Sequence, residues 1–176
     1  NGCATTTSVT IIEDENCCGV FGSSFIYSPG SNPPSGSYDL NASFSVASGT
    51  TLTLSTCTLA IAKNVTITVE SNATLEILAS SFLYACGEMW VGIINNGGTV
   101  TIDNSTIKDA IIAGRTSGGN SMNVRNSQFD NNFISLYYEN GDFSATGPYG
   151  ASDIYGNTFD NNGGALTKAP HLGEDS

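Results

Sequence analysis

The sequence predicts an all-β fold: a right-handed parallel β-helix, or solenoid, of about five to six coils with an irregular N-terminal cap. One pattern recurs five times, with gaps of 23, 25, 22 and 30 residues between the starting points of its copies. The copies begin at Leu52, Leu75, Val100, Met122 and Ser152. Within each copy apolar residues alternate with polar ones, which is strand periodicity, and no copy has an apolar stripe at helical spacing. A fixed period of this length is typical of solenoids, whose units bury their apolar faces by stacking.

Two positions of the repeat are apolar in every copy. The third position holds Leu54, Ile77, Ile102, Val124 and Ile154, and the eighth holds Leu59, Phe82, Ile107, Phe129 and Phe159. Stacked strands lie about 4.8 Å apart, and burying one such side chain contributes roughly 1.5–3 kcal/mol. The two columns therefore predict a continuous core. The β-helix should be right-handed, because crossovers between parallel strands are right-handed in nearly all proteins.

The fifth and sixth positions predict the bend between successive strands. The fifth reads Thr56, Ala79, Asn104, Asn126 and Gly156, and the sixth reads Cys57, Ser80, Ser105, Ser127 and Asn157. Asn and Gly take a left-handed backbone most readily, so the chain should turn here, although the first two copies depart from that rule. A later column changes from Ala62, Ala85 and Ala110 to Asn132 and Asn162, and we expect its Asn side chains to hydrogen-bond inside the stack.

The first 47 residues differ from the repeats, so we assign residues 1–47 to an N-terminal cap and loop and residues 48–176 to the β-helix. Short strands are predicted at 9–12 and 25–27, and Ser28 to Ser37 reads as an exposed loop because it is rich in Pro and Gly. Residues 166–176 contain no evident capping element, and repeat arrays need polar caps. We therefore expect the β-helix to be truncated at its C-terminus, as part of a longer chain or assembly.

Charge and hydropathy exclude several classes of partner. The net charge is -11, with five Lys plus Arg against sixteen Asp plus Glu. Nucleic acid and anionic membrane surfaces are therefore poor partners. No apolar run is long enough to predict a membrane-spanning helix. With only 12% charged residues, the surface must consist largely of Thr, Ser, Asn and Gly, a composition common in secreted β-rich proteins.

The five cysteines fall into two groups. Cys3, Cys17 and Cys18 lie in the N-terminal segment, and Cys57 and Cys86 lie in the coils. We expect a disulfide among the first three that closes the cap in an oxidising compartment, although connectivity cannot be deduced from sequence. Cys57 and Cys86 are equally well read as small buried packing residues.

The 30-residue gap between the fourth and fifth copies predicts an insertion centred on Glu139 to Ala151. Long loops on a rigid scaffold are where binding usually resides, so we predict a ligand contact here; a passive surface loop is the alternative. The candidate ligand-binding residues are Tyr137, Tyr138, Asp142, Phe143 and Tyr149.

The ninth position of the repeat is acidic in the last two copies. It reads Ala60, Leu83, Lys108, Asp130 and Asp160. Asp130 and Asp160 should lie about 5 Å apart on adjacent coils, close enough to repel each other unless something offsets the repulsion. Lys108 stacked on Asp130 is one such group. A bound calcium ion is the second group that could offset the repulsion, with Asn131 and Asn161 contributing carbonyl oxygens. We therefore predict either no cofactor or calcium.

One stretch carries a family resemblance. Cys86-Gly-Glu-Met-Trp-Val-Gly-Ile, followed by Asn-Gly-Gly-Thr-Val-Thr-Ile and Asn-Ser-Thr-Ile-Lys-Asp-Ala, resembles the right-handed parallel β-helix (pectin-lyase-like) domains of large secreted or cell-surface proteins in bacteria that use type IX secretion. The similarity covers roughly Ser48 to Gly164. It implies export to the cell surface or the medium, often as one module of a longer adhesin-like protein. Trp90 in this stretch is predicted to pack against the core rather than to bind sugar.

The sequence does not favour a catalytic function. Lyases that act on uronates need Lys or Arg to abstract a proton, and the five basic residues here do not cluster in the repeat register. The chain has no Asp-Asp pair and a single His, His171. We therefore predict a secreted, non-catalytic β-helix module that acts as a structural or adhesive surface protein. Its expected partners are extracellular polysaccharide or another surface protein. The alternative is a polysaccharide-binding or polysaccharide-degrading module, a lyase or hydrolase, whose catalytic residues lie outside this fragment.

Overall fold

A computed structural model describes residues 18–117, 121–139 and 154–161. Within these ranges the chain forms sixteen β-strands and no helix, which confirms the all-β prediction. No helix there is long and apolar enough to cross a membrane. The strands are β1 (Gly36–Leu40), β2 (Phe44–Val46), β3 (Thr51–Ser55), β4 (Cys57–Ile61), β5 (Thr66–Val69), β6 (Thr74–Leu78), β7 (Phe82–Ala85), β8 (Trp90–Asn95), β9 (Thr99–Asp103), β10 (Thr106–Lys108), β11 (Ala110–Ser117), β12 (Ser121–Arg125), β13 (Gln128–Asp130), β14 (Ile134–Glu139), β15 (Ile154–Tyr155) and β16 (Thr158–Asp160).

The strands form three parallel sheets, because every third strand along the chain returns to the same sheet. Sheet A has the order β1-β4-β7-β10-β13-β16, sheet B the order β2-β5-β8-β11-β14, and sheet C the order β3-β6-β9-β12-β15. One turn of the chain, here called a rung, therefore contributes one strand to each sheet. Four rungs run from β2 to β13, and β14, β15 and β16 belong to a fifth that is interrupted by residues outside the description. The predicted parallel β-helix is confirmed.

The apolar columns stack as the repeat predicts. At the third position Leu54, Ile77, Ile102, Val124 and Ile154 are register partners on successive rungs. The first four are completely buried. The eighth-position column is also continuous and consists of Leu59, Leu83, Ile107, Phe129 and Phe159. The buried members of these two columns belong to one continuous core cluster between the sheets.

The prediction that Phe82 belongs to that column is wrong, because the second copy has one extra residue in its bend. Ala79 and Ser80 both have a left-handed backbone, with φ of 56° and 65°. Ser81 therefore takes the corner place expected for Ser80 and is buried. The strand that follows is displaced by one residue, and Phe82 lies on the outer face, where its ring stacks on Tyr84 at 4.9 Å.

The bend at the fifth position is left-handed in all five copies. The φ angles are 55° at Thr56, 56° at Ala79, 47° at Asn104, 48° at Asn126 and 66° at Gly156. A left-handed conformation costs an ordinary L-residue roughly 1–2 kcal/mol. Thr56 and Ala79 nevertheless adopt it, so the stacking of the rungs overrides their local preference.

The small polar residues that follow the bend join one rung to the next. Ser81 Oγ accepts a hydrogen bond from the N–H of Cys57 at 3.1 Å, and Ser127 Oγ accepts one from Ser105 at 3.2 Å. Asn157 Oδ1 does the same for the N–H of Ser127 at 2.9 Å. Each of these corner N–H groups is therefore satisfied by a side chain of the following rung.

The expected internal hydrogen bonds of the Asn column are confirmed at Asn132. This buried side chain accepts a hydrogen bond from the N–H of Ala110 at 2.8 Å and donates one to the carbonyl of Ile107 at 3.0 Å. Both halves of the amide are used, as a buried amide requires. Asn162 lies outside the described residues.

The N-terminal segment covers the first rung. Strands β1 and β2 lie inside residues 1–47, the predicted cap, and already belong to sheets A and B. Residues 25–27 do not form the predicted strand, since only an isolated bridge joins Ser24 to Asp39. The buried Asp39 carboxylate accepts four hydrogen bonds of 2.8 to 3.2 Å from the backbone N–H groups of residues 20–22. This carboxylate holds the segment onto β1.

A disulfide fastens the same segment to the coils. Cys18 is bonded to Cys86, 68 residues away. Of the predicted candidates, Cys18 therefore pairs with neither Cys3 nor Cys17. Cys3 and Cys17 lie outside the described residues, so a disulfide between them stays a prediction. Cys86 is a disulfide partner, and its interpretation as a packing residue is wrong. Cys57 is a buried free thiol whose pKa is raised by burial.

Trp90 packs inside the stack, as predicted. Its side chain is fully buried, and its Nε1 donates a hydrogen bond to the carbonyl of Lys108 at 3.0 Å. A ring in this position has no face open to a sugar.

Candidate functional site

The structure separates the two tyrosines of the predicted ligand site. Both belong to β14, where successive side chains point to opposite faces of the sheet. Tyr137 is exposed, whereas Tyr138 packs against the core and its Oη donates a hydrogen bond to the carbonyl of Met122 at 3.5 Å. Only Tyr137 can present its ring to a ligand. Asp142, Phe143 and Tyr149 lie outside the described residues.

Tyr137 belongs to a small charged cluster on the outer face of sheet B. Arg115 is its register partner on β11, and the guanidinium carbon lies 5.8 Å from the centroid of the tyrosine ring. Arg115 Nη2 also donates a hydrogen bond to Glu139 Oε2 at 2.8 Å, and that bond raises the pKa of Arg115. We call Arg115, Tyr137 and Glu139 the tyrosine patch. Its guanidinium is held between a carboxylate and an aromatic face, so its direction is fixed before any ligand arrives.

A second pair of the same kind lies on sheet C. The guanidinium carbon of Arg125 lies 5.6 Å from the ring centroid of the exposed Tyr155 on the next rung. Neither pair was predicted from the sequence. The signal was present, because Arg125 and Tyr155 both occupy the fourth position of the repeat, and Arg115 precedes Tyr137 by one 22-residue period.

The predicted acidic ladder is present on sheet A. Asp130 and Asp160 are register partners on β13 and β16, and Lys108 is the partner of Asp130 on the other side. Lys108 Nζ lies 2.8 Å from Asp130 Oδ2, and this hydrogen bond raises the pKa of Lys108. The arrangement is the one expected of an acidic ladder balanced by a lysine.

The other predicted calcium ligands are engaged differently or are exposed. Asn131 Nδ2 donates a hydrogen bond of 2.6 Å to Asp109 Oδ1, and its backbone N–H donates one to the carbonyl of Asp160 at 2.9 Å. Asn161 follows β16 and is exposed. In the described part of the chain, no group of three or more His, Cys, Asp or Glu side chains is placed to hold a metal. Calcium binding therefore stays a prediction.

The chain matches no protein-family model, no curated protein and no solved structure. No match bears on the resemblance to pectin-lyase-like domains or to type IX cargo, and it too stays a prediction. A function for the chain has to come from its own geometry.

Proposed function

We propose that the chain is a secreted, non-catalytic β-helix module that acts as a structural and adhesive surface protein and contacts extracellular glycans through the tyrosine patch. Its core columns and corner hydrogen bonds tie each rung to the next, so the outer faces hold side chains at fixed spacing. The disulfide between Cys18 and Cys86 supports an oxidising, extracellular location. The resemblance to exported pectin-lyase-like domains points the same way.

The observation that carries the proposal is the exposed side chain of Tyr137 with the Arg115 guanidinium over one side of its ring. The apolar C–H face of a sugar ring stacks on an aromatic ring, and the neighbouring guanidinium and carboxylate can hydrogen-bond its hydroxyl groups. The guanidinium is already oriented by Glu139, so binding does not have to order it. In the sequence, the predicted insertion continues directly after Glu139, and long loops on rigid scaffolds are where binding usually resides.

A glycan array followed by titration calorimetry tests this proposal. Tyr137→Ala and Arg115→Ala should each weaken binding of any captured polysaccharide by about tenfold, because either change removes about 1.4 kcal/mol of contact. Lys63→Ala is the matched control, since it removes an ion pair of similar exposure, with Glu88, and Lys63 makes neither of the cation–π contacts found among the described residues. Full binding by Tyr137→Ala would refute the placement of the site.

Assays for reducing ends and for unsaturated products on acidic polysaccharides separate adhesion from degradation. We expect no product from the module. Product formation would favour the alternative, a polysaccharide-degrading module.

A further inference from the structure

A cavity of about 250 Å³ lies at the N-terminal end of the stack, between residues 24–34 and the first rung. Its apolar lining consists of Phe25, Ile26, Tyr27, Pro33, Pro34, Tyr38 and Leu52. Its polar lining consists of Ser24, Ser28, Ser31 and Asn32. No member of the tyrosine patch lines the cavity, so it is a second and separate place where a ligand could bind.

The loop that forms the outer wall is stiff. Ser31 N–H donates a hydrogen bond to the carbonyl of Ser28 at 3.1 Å, which closes a turn with Pro29 and Gly30 at its centre. Gly30 has a φ of 76°, the conformation that a type II turn requires at its third residue. Pro33 and Pro34 then fix two further φ angles. The wall is therefore formed before a ligand binds, and binding does not have to order it.

The tyrosine rings are also fixed in place. Tyr27 Oη accepts a hydrogen bond from the N–H of Ala47 at 3.0 Å, and its ring stacks on Phe44 at 5.0 Å. Tyr38 Oη donates a hydrogen bond to the carbonyl of Pro34 at 2.8 Å. Since both hydroxyls are already engaged by the protein, these residues contribute apolar ring surface to the cavity.

Uncharged polar groups remain available beside that surface. Asn32 Oδ1 accepts a hydrogen bond from the N–H of Thr53, but its Nδ2 has no partner among the described residues. The hydroxyls of Ser24 and Ser28 likewise have no partner within the described ranges. Among the residues that the structure describes, no charged side chain lines the cavity. Apolar rings next to free hydroxyl and amide groups match a ligand that has one apolar face, several hydroxyl groups and no charge.

We propose that this cavity binds one neutral hexose unit. A pyranose ring has an apolar C–H face for the aromatic and proline surface and hydroxyl groups for Asn32, Ser24 and Ser28. The volume lies below the usual range for drug-sized ligands, so it suits a single ring. A uronate would place a carboxylate among uncharged groups on a chain whose net charge is -11, and that placement is unfavourable.

Saturation-transfer NMR and titration calorimetry on the whole chain test the proposal. The probes are the methyl glycosides of glucose, galactose and mannose, with methyl glucuronide as the charged counterpart and cyclohexanol as the apolar one. At least one neutral hexoside should bind saturably, and the glucuronide should bind at least about tenfold more weakly. Binding of cyclohexanol without binding of any hexoside would overturn the proposal, because the cavity would then be an apolar site.

Paired variants locate the binding. Ser28→Leu places an aliphatic side chain in the cavity and should weaken hexoside binding by about tenfold or more, whereas Ser35→Leu, on the same loop but outside the lining, should not. Ser24→Leu is the second cavity variant if Ser28→Leu lowers the unfolding midpoint. Tyr137→Ala should keep hexoside binding, which separates this site from the tyrosine patch. Unchanged hexoside binding in a folded Ser28→Leu or Ser24→Leu variant would refute the site.

Discussion

The first and last rungs of the stack use the same repeat but differ in burial. At the third position Leu54 is fully buried and Ile154 is 38% exposed; at the eighth position Leu59 is fully buried and Phe159 is 53% exposed. The first rung is covered by residues 18–35, through Asn32 on Thr53, Tyr27 on Ala47 and the four hydrogen bonds to Asp39. Nothing in the described residues covers the last rung in this way.

The difference shows that register and burial have separate origins. Register comes from the sequence of a rung itself, because alternation decides which side chains point inward. Burial comes from a neighbour on each side, since stacking units bury apolar surface only against each other. Burial of an isoleucine at one repeat position therefore contributes a different amount to the free energy of unfolding in different rungs.

The largest loss of stability is expected when the disulfide that holds the N-terminal segment is removed. Cys18→Ala combined with Cys86→Ala should lower the free energy of unfolding by about 3–4 kcal/mol, because the bond closes a loop of 68 residues in the unfolded chain. Urea unfolding followed by the fluorescence of the buried Trp90 measures it. Cys57→Ala is the control, a buried cysteine that closes no loop, with an expected loss of about 1 kcal/mol. Equal losses in the two proteins would contradict the structural role of the bond.

The second test compares one repeat position in two rungs. Ile77→Ala should cost about 3 kcal/mol, since it opens a cavity in a completely buried column. Ile154→Ala should cost about 1 kcal/mol or less, because its side chain is already partly in water. Both are read from the same urea transitions. A loss for Ile154→Ala as large as that for Ile77→Ala would mean that the last rung is covered as well as the others.

The smallest test concerns two lysine ion pairs. Lys108→Met should cost about 1–2 kcal/mol at neutral pH, because it leaves the Asp130 side chain, only 10% exposed, without its cation and next to Asp160. Lys63→Met should cost under about 0.5 kcal/mol, because the side chain of Glu88 is 47% exposed. Because the pKa of Lys108 is raised in the folded state, its stabilising effect is fully present below the unfolded pKa of about 10.4 and is lost as the pH rises through the folded pKa.

Stability measured against pH checks that sign. The difference between wild type and Lys108→Met should be constant from pH 7 to about pH 10 and shrink above it. A difference that instead grows at high pH would show that the ion pair does not stabilise the fold.

Most of the fold could be predicted from the sequence, because the third-position column depends only on alternation within a strand. The bend of the second copy could not be predicted. It contains two successive left-handed residues, Ala79 and Ser80, and is one residue longer than expected, so Leu83 takes the place predicted for Phe82. The left-handed bends at Thr56 and Ala79 were equally hidden, because the preferences of those residue types oppose them.

The candidate sites were harder to predict because they depend on contacts between rungs. The disulfide joins Cys18 to a residue at the end of the second rung, directly after β7, and no spacing rule gives that pairing. Alternation within β14 could have separated Tyr137 from Tyr138, and the 22-residue period could have placed Arg115 beside Tyr137. The pairing of Lys108 with Asp130 followed from the register and is confirmed.

The corner hydrogen bonds accepted by side chains link a unit to the one that follows it. The N–H of Ser105 donates to Ser127 Oγ, and the N–H of Ser127 donates to Asn157 Oδ1, so at this corner both units take a side-chain acceptor from the following unit. A duplicated 22-residue segment would bring along the acceptor that its upstream neighbour requires. Duplication of an interior unit therefore preserves this pairing, whereas a deletion that removes the Ser or Asn at this corner leaves a buried N–H of the preceding unit without its acceptor.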